Sequence, residues 1–142
     1  MPVPDTSHVK VRFAGYAAVF DLLDHGGDIV KPGAFRRSLA GGRTIPLLWQ
    51  HRTGTVIGRI ERIEEDRRGL RVIGSINCSE SGANAARLIS SRRIDGLSFG
   101  YRVQSSEQSE GARLLKDVDL LEVSVVTRPM QPKARIHAVQ ES

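Results

Sequence analysis

Gly96-Leu97-Ser98-Phe99-Gly100-Tyr101 sets one serine between two glycines in a run that otherwise reads as a strand. Leu97, Phe99, Tyr101 and Val103 alternate with Ser98, Gly100 and Arg102, so period two sends the apolar set to one face and Ser98 to the other. Glycine weakens a strand and is tolerated where another backbone or a ligand comes close. A hydroxyl held on a rigid strand beside open space suits a nucleophile, although a polar outward residue on a β-hairpin has the same pattern.

The surrounding segments give that serine chemical company. Upstream, Ile45-Pro46-Leu47-Leu48-Trp49-Gln50-His51 is an apolar run ending on a histidine, followed by the turn-like Thr53-Gly54. Downstream, Leu120-Leu121-Glu122-Val123-Ser124-Val125-Val126 is an apolar strand carrying one glutamate. A serine nucleophile needs a base, and neutral imidazole is the usual one. The imidazole needs an acceptor that fixes its tautomer and stabilises its charged form. His51, Ser98 and Glu122 supply these three roles from three strands. A strict alternation places Glu122 on the face of Leu120, Ser124 and Val126, where a carboxylate is costly unless partnered. Asp117 and Asp119 are the alternative acceptors, and a solvent-reaching strand-edge glutamate is the competing reading.

Short strands dominate the rest of the chain. Val9 to Phe20 reads as one or two strands broken at Gly15. Pro46 to Gln50, Val56 to Glu64 and Leu70 to Asn77 follow, the last two joined by a charged turn. Gly96 to Val103 and Arg113 to Val126 form a hairpin across a polar loop, Gln104 to Gly111, and Ala134 to Val139 adds a short strand. A helix is expected over Pro32 to Leu39, stopped by Gly41-Gly42. A second begins at Ser79 and runs to about Ser91, with Ala83, Ala86, Leu88 and Ile89 as its apolar stripe. The fold class is mainly β (α+β): a small closed antiparallel β-barrel of six to seven strands with peripheral helices, since closure removes exposed edges.

These segments resemble, in order and spacing, the HK97-type phage prohead (capsid maturation) serine proteases, which are related in fold to the herpesvirus assembly proteases. The carrying blocks are Gly15-Tyr16-Ala17-Ala18-Val19-Phe20, Gly27-Asp28-Ile29-Val30-Lys31-Pro32-Gly33-Ala34-Phe35, Pro46 to His51 with Ile57-Gly58, Gly69-Leu70-Arg71-Val72, Gly96 to Tyr101, and Leu121 to Val126 with Pro129 and Ala134. The resemblance implies a herpesvirus-protease-like barrel, Ser98 as nucleophile, His51 as general base and Glu122 as orienting acid. It implies an oxyanion donor in the loop after the third triad strand, where Arg128 precedes Pro129, which has no N–H. It further implies the major capsid protein with its scaffolding segment as substrate, self-cleavage, a possible homodimer, and action in the host cytoplasm inside the immature capsid. Family members often carry a C-terminal extension, and this chain ends about where the catalytic barrel should.

Composition bounds the alternatives. The 142 residues suit a single domain spanning 1–142, and 39% hydrophobic with 26% charged residues are globular values. No apolar stretch approaches the ~20 residues that span a bilayer. Met1 to Lys10 lacks the pattern of a signal peptide. The single cysteine, Cys78, allows no internal disulfide, reads as a passive thiol, and together with the N-terminus suggests a cytoplasmic protein. A net charge of +5 raises the question of nucleic acid, but the arginines are scattered and aromatics total only 5%, which disfavours base stacking. An acidic protein partner and a merely solvated surface remain as readings of that charge. His25, in Asp24-His25-Gly26-Gly27-Asp28, reads as an exposed turn, and His8 and His137 as solvated. No metal or cofactor is expected, because paired-cysteine metal spacing and phosphate-binding glycine loops are missing. Two other functions compete: an inactive barrel acting as a capsid assembly or scaffolding partner, and a basic nucleic-acid-binding barrel.

Overall fold

The computed structural model describes residues 8–141; the first seven residues, which carry most of the N-terminal reading above, lie outside the described residues. The described chain forms β1 (Val9–Val19), β2 (Asp28–Val30), α1 (Arg36–Ala40), β3 (Pro46–Trp49), β4 (Arg52–Glu65), β5 (Gly69–Asn77), α2 (Glu80–Ser90), β6 (Gly96–Ser109), β7 (Ala112–Val126) and β8 (Ile136–Glu141). No helix among the described residues is long and apolar enough to cross a membrane.

The sheet departs from an all-antiparallel closed barrel in two ways. Its order is β2-β7-β3-β4-β5-β1-β8, with β6 pairing only the other edge of β7. Two pairings are parallel: β2 and β3 lie one after the other along β7, at Arg113–Leu115 and Val123–Val125. The ring is left open between β6 and β8, which are joined only at one corner by the Gly96–Arg135 bridge and the bonds Leu97 N–H to Ala134 O and Ile136 N–H to Asp95 O. Beyond that corner β6 meets β1 through side chains: Leu97 packs against the bare backbone of Gly15. A strand whose side chains fill that space cannot bring its backbone into hydrogen-bond range.

Several elements differ from the expectations, each for a local reason. The polar segment 104–109 is strand, so β6 and β7 form one long hairpin closed by the two-residue turn Glu110–Gly111, with Gly111 at φ +72°. Its outer half is exposed, and hydrophobic alternation is therefore silent there. β1 runs unbroken through Gly15, with bulges absorbing the irregularity. Residues Pro32 to Phe35 are turns, and only Arg36–Ala40 is helical. In α2, Ser79 Oγ accepts the Gly82 N–H as an N-cap, and the buried stripe is Gly82, Ala85, Ala86 and Ile89, whereas Ala83 and Leu88 are half-buried.

The core gathers Phe13, Phe35, Leu47, Ile57, Leu70, Ile76, Leu97, Phe99, Leu120 and Val123 with the inner face of α2. Phe35 is fully buried and meets Phe99 edge-on, ring centres 5.2 Å apart; Phe99 in turn lies 4.8 Å from Tyr101. This aromatic row supports the underside of β6, whose upper face carries Ser98. His25 is exposed, as its turn reading expects, but Asp28 at the end of the same stretch is only 6% exposed. Its carboxylate accepts two bonds from Arg113, at 2.8 and 3.0 Å, and one from the Tyr101 hydroxyl at 3.0 Å. These bonds satisfy a charge that burial alone would penalise.

Phe35→Ala is expected to cost about 3–5 kcal/mol in denaturant unfolding, because the cavity lies at the centre of the core. The Arg113 bonds, and then the Tyr101 bond, hold the Asp28 carboxyl below its ordinary value. Its stabilising contribution is thus full above the unfolded aspartate pKa of about 3.9 and is lost as pH falls through the lower folded value. Acid titration of the urea midpoint should therefore show a shallower fall below about pH 4 for Asp28→Asn than for the native chain.

Candidate active site

His51 sits in the two-residue turn between β3 and β4, with Gln50 at φ +51° and His51 at φ +61°. A two-residue hairpin turn with both central residues left-handed matches the twist of its strands, but side chains other than glycine, asparagine and aspartate rarely occupy it. The turn is held by specific bonds. Gln50 N–H donates to Val125 O, the Gln50 amide bonds Thr127 Oγ1 and the Thr127 N–H at 2.6 and 3.0 Å, and the His51 N–H donates to Ser124 Oγ at 3.0 Å. The sequence reading put the turn at Thr53-Gly54; those residues are already strand. Left-handed backbone at non-glycine residues costs ~1 kcal/mol or more each and concentrates at functional sites.

Glu122 reaches the same place through an irregularity in β7. Gly100 pairs with Glu122 but Tyr101 pairs with Leu120, so Leu121 is an extra residue in β7. Consequently Leu120 lies in the core at 1% exposure, on the opposite side from Glu122. This corrects the alternation that placed the two on one face. The Glu122 carboxylate, 11% exposed, contacts His51 Nδ1 through Oε1 and accepts the Ser124 hydroxyl through Oε2 at 2.5 Å. A carboxylate only accepts, so His51 Nδ1 carries the proton and Nε2 is left with the lone pair. The hydrogen bond to Glu122 raises the His51 pKa above its ordinary value, against a smaller opposing effect of burial.

Ser98 pairs directly with Ser124 across β6 and β7, which puts the two on one face, next to the Gly100–Glu122 pair. It is 6% exposed. The bonds of His51 run to Glu122 and Ser124, and no hydrogen bond joins it to Ser98 among the described residues. His51 and Glu122 also line an open cleft of about 520 Å³ with Arg43, Pro46, Leu48 and Tyr101. The alternative acceptors are committed elsewhere: Arg37 clasps Asp117 at 2.9 Å and Asp119 at 2.5 Å. Arg128 is exposed in the bend after β7, where the Pro129 ring packs over Gly96, two residues before Ser98. Cys78 lies before α2, and His137 is exposed with its ring 5.9 Å from Tyr16. His25 donates its backbone N–H to Met130 O, tying its loop to the segment after Arg128. Ser124 was missed as a site residue; its one signal was a polar residue in an otherwise apolar strand.

Residues 2–142 match the family model described as Caudovirus prohead serine protease. The chain is 33% identical over 134 residues to the prohead protease of Enterobacteria phage HK97, covering 90% of this chain and 60% of that protein. It thus spans about 60% of the length of that curated relative. Among solved structures, the varicella-zoster virus protease superposes with a TM-score of 0.60 at 18% identity, over 92% of this chain and 64% of the other. The capsid assembly protease of bacteriophage T4 superposes with a TM-score of 0.67 at 12% identity, over 84% of each chain. The fold is therefore mainly β with few helices, like that of the herpesvirus proteases, and the chain belongs to the Caudovirus prohead serine protease family.

Proposed function

We propose that the protein is a serine endopeptidase in which Ser98 is the nucleophile, His51 the general base and Glu122 the orienting acid. The observation that carries this reading is the His51 Nδ1–Glu122 contact on the face that Ser98 shares with Ser124. With Nδ1–H given to Glu122, Nε2 is free to take the Ser98 proton as Oγ attacks a peptide carbonyl. The imidazolium that forms is stabilised by the carboxylate, then protonates the leaving amine. Water, deprotonated by the same nitrogen, hydrolyses the acyl-serine and restores the hydroxyl. No hydrogen bond joins His51 to Ser98 among the described residues, and catalytic hydrogen bonds of free enzymes are often loose and tighten only when substrate binds.

The oxyanion needs a backbone donor. Thr127 N–H is engaged by Gln50 and Pro129 has no N–H, which favours the Arg128 N–H between them. The names of the relatives point to the substrate: a prohead protease in phage HK97, a capsid scaffolding protein in equine herpesvirus 1 and a capsid assembly protease in phage T4. The substrate assigned here is accordingly the scaffolding segment of the phage's own major capsid protein, with self-cleavage and action inside the immature capsid in the host cytoplasm.

Co-expression with the neighbouring capsid protein tests this directly. The native chain should shorten the capsid protein, whereas a folded Ser98→Ala variant should leave it intact; equal, uncut products from both would favour a scaffolding role. The pH profile gives a second test. His51 must be neutral to act as base, and its pKa is raised by Glu122, so the acidic limb of kcat/KM should lie above the ordinary imidazole value of about 6.5. Glu122→Gln should lower kcat by about two or more orders of magnitude and move that limb down toward 6.5.

A further inference from the structure

Ser124 is completely buried, yet its hydroxyl is directed entirely at the site. It donates to Glu122 Oε2 at 2.5 Å and accepts the His51 N–H at 3.0 Å. A hydroxyl has one proton to give and lone pairs to receive with, so the two bonds do not compete. Their partners belong to different parts of the fold. Glu122 follows the bulge in β7, and His51 belongs to the left-handed turn after β3. One side chain therefore sets both the rotamer of the carboxylate and the position of the backbone that carries the imidazole.

Gly100 supplies an independent constraint on the same carboxylate. A Cβ at Gly100 would lie 2.4 Å from Glu122 Oε1 and 2.9 Å from Glu122 Cγ. Glu122 thus lies flat across the backbone of its cross-strand partner, in space that only glycine leaves. Held on one side by this bare backbone and on the other by the Ser124 hydroxyl, the carboxylate has a single placement in which Oε1 meets His51.

We propose that Ser124 is a positioning residue, whose hydroxyl locks the Glu122 carboxylate and the His51 turn into one geometry. The proposal rests on reading His51 and Glu122 as base and orienting acid, and it extends that reading to a fourth side chain. If the hydroxyl is lost, Oε2 has no buried partner and the turn loses a restraint, so the imidazole drifts. A displacement of about 1 Å at a reacting group lowers turnover by about a hundredfold.

The test uses the full chain with Ser124→Ala and the shape-matched pair Ser124→Thr and Ser124→Val, which differ from each other only in the hydroxyl. The readouts are the proton NMR resonance of His51 Nδ1–H, assigned by its loss in His51→Ala, and steady-state cleavage of a capsid-derived peptide. The native chain and Ser124→Thr should show the hydrogen-bonded, downfield resonance. Ser124→Ala and Ser124→Val should lose or broaden it, with kcat reduced about a hundredfold and KM within about twofold. Retention of the resonance and of turnover without the hydroxyl would overturn the proposal. So would identical behaviour of the Thr and Val variants, or unfolding of both hydroxyl-free variants beside a folded Ser124→Thr, which would make the role purely structural. If the native chain cleaves nothing, the protease reading fails, whereas the resonance still reports on Ser124 by itself.

Discussion

One extra residue in β7, Leu121, is the constraint on which the site depends. Without it, strict alternation would put Glu122 on the same side as Leu120, in the core. The bulge reverses the facing of the strand at that point. Val123 and Val125 keep to the interior, while Glu122, Ser124 and the paired Ser98 and Gly100 present themselves on the opposite face. β3 runs parallel to this same stretch, with Leu48 beside Ser124, and so delivers the His51 turn to the end of the polar row.

A carboxylate on a buried side chain in so apolar a neighbourhood is costly unless its oxygens are satisfied. Both are: one faces His51 and the other Ser124. The backbone strain at Gln50 and His51 is offset in the same way, by bonds to Val125, Thr127 and Ser124 that an unstrained turn would not need. Strain and buried charge meet at a single locus, and each restrains the other. That concentration is the pattern expected where a fold is shaped for chemistry and not for stability alone.

Elsewhere the charges serve the scaffold. Arg113 neutralises the buried Asp28 and Tyr101 hydrogen-bonds it, which fastens the β2 region to the β6–β7 hairpin, and Arg37 on α1 joins Asp117 and Asp119 on β7. Several arginines that make the chain basic are thus partnered locally. The exposed pairs among them contribute little individually, but the Asp28 cluster fixes the loop whose His25 N–H reaches Met130, just beyond Arg128. The segment favoured for oxyanion binding is therefore braced from one side by this loop and from the other by Pro129 on Gly96.

Local patterning in the sequence determined the mainly β character, the approximate strands β1, β3, β4, β5 and β7, and the capped helix α2, because half-buried strands and an N-capped helix write their periodicity into residue order. It also singled out His51, Ser98 and Glu122, since a polar residue in an apolar strand stands out without any knowledge of its neighbours. Exposed strand carries no such pattern, so the outer half of the β6–β7 hairpin has the composition of a loop, and three-residue β2 is too short to register. Only the tertiary structure decided the open ring, the parallel pairings of β2 and β3 with β7, the turn at Gln50–His51 and the bulge at Leu121. Each of these depends on which strands meet and in what register, and a one-residue shift that reverses a side chain leaves no trace in local composition.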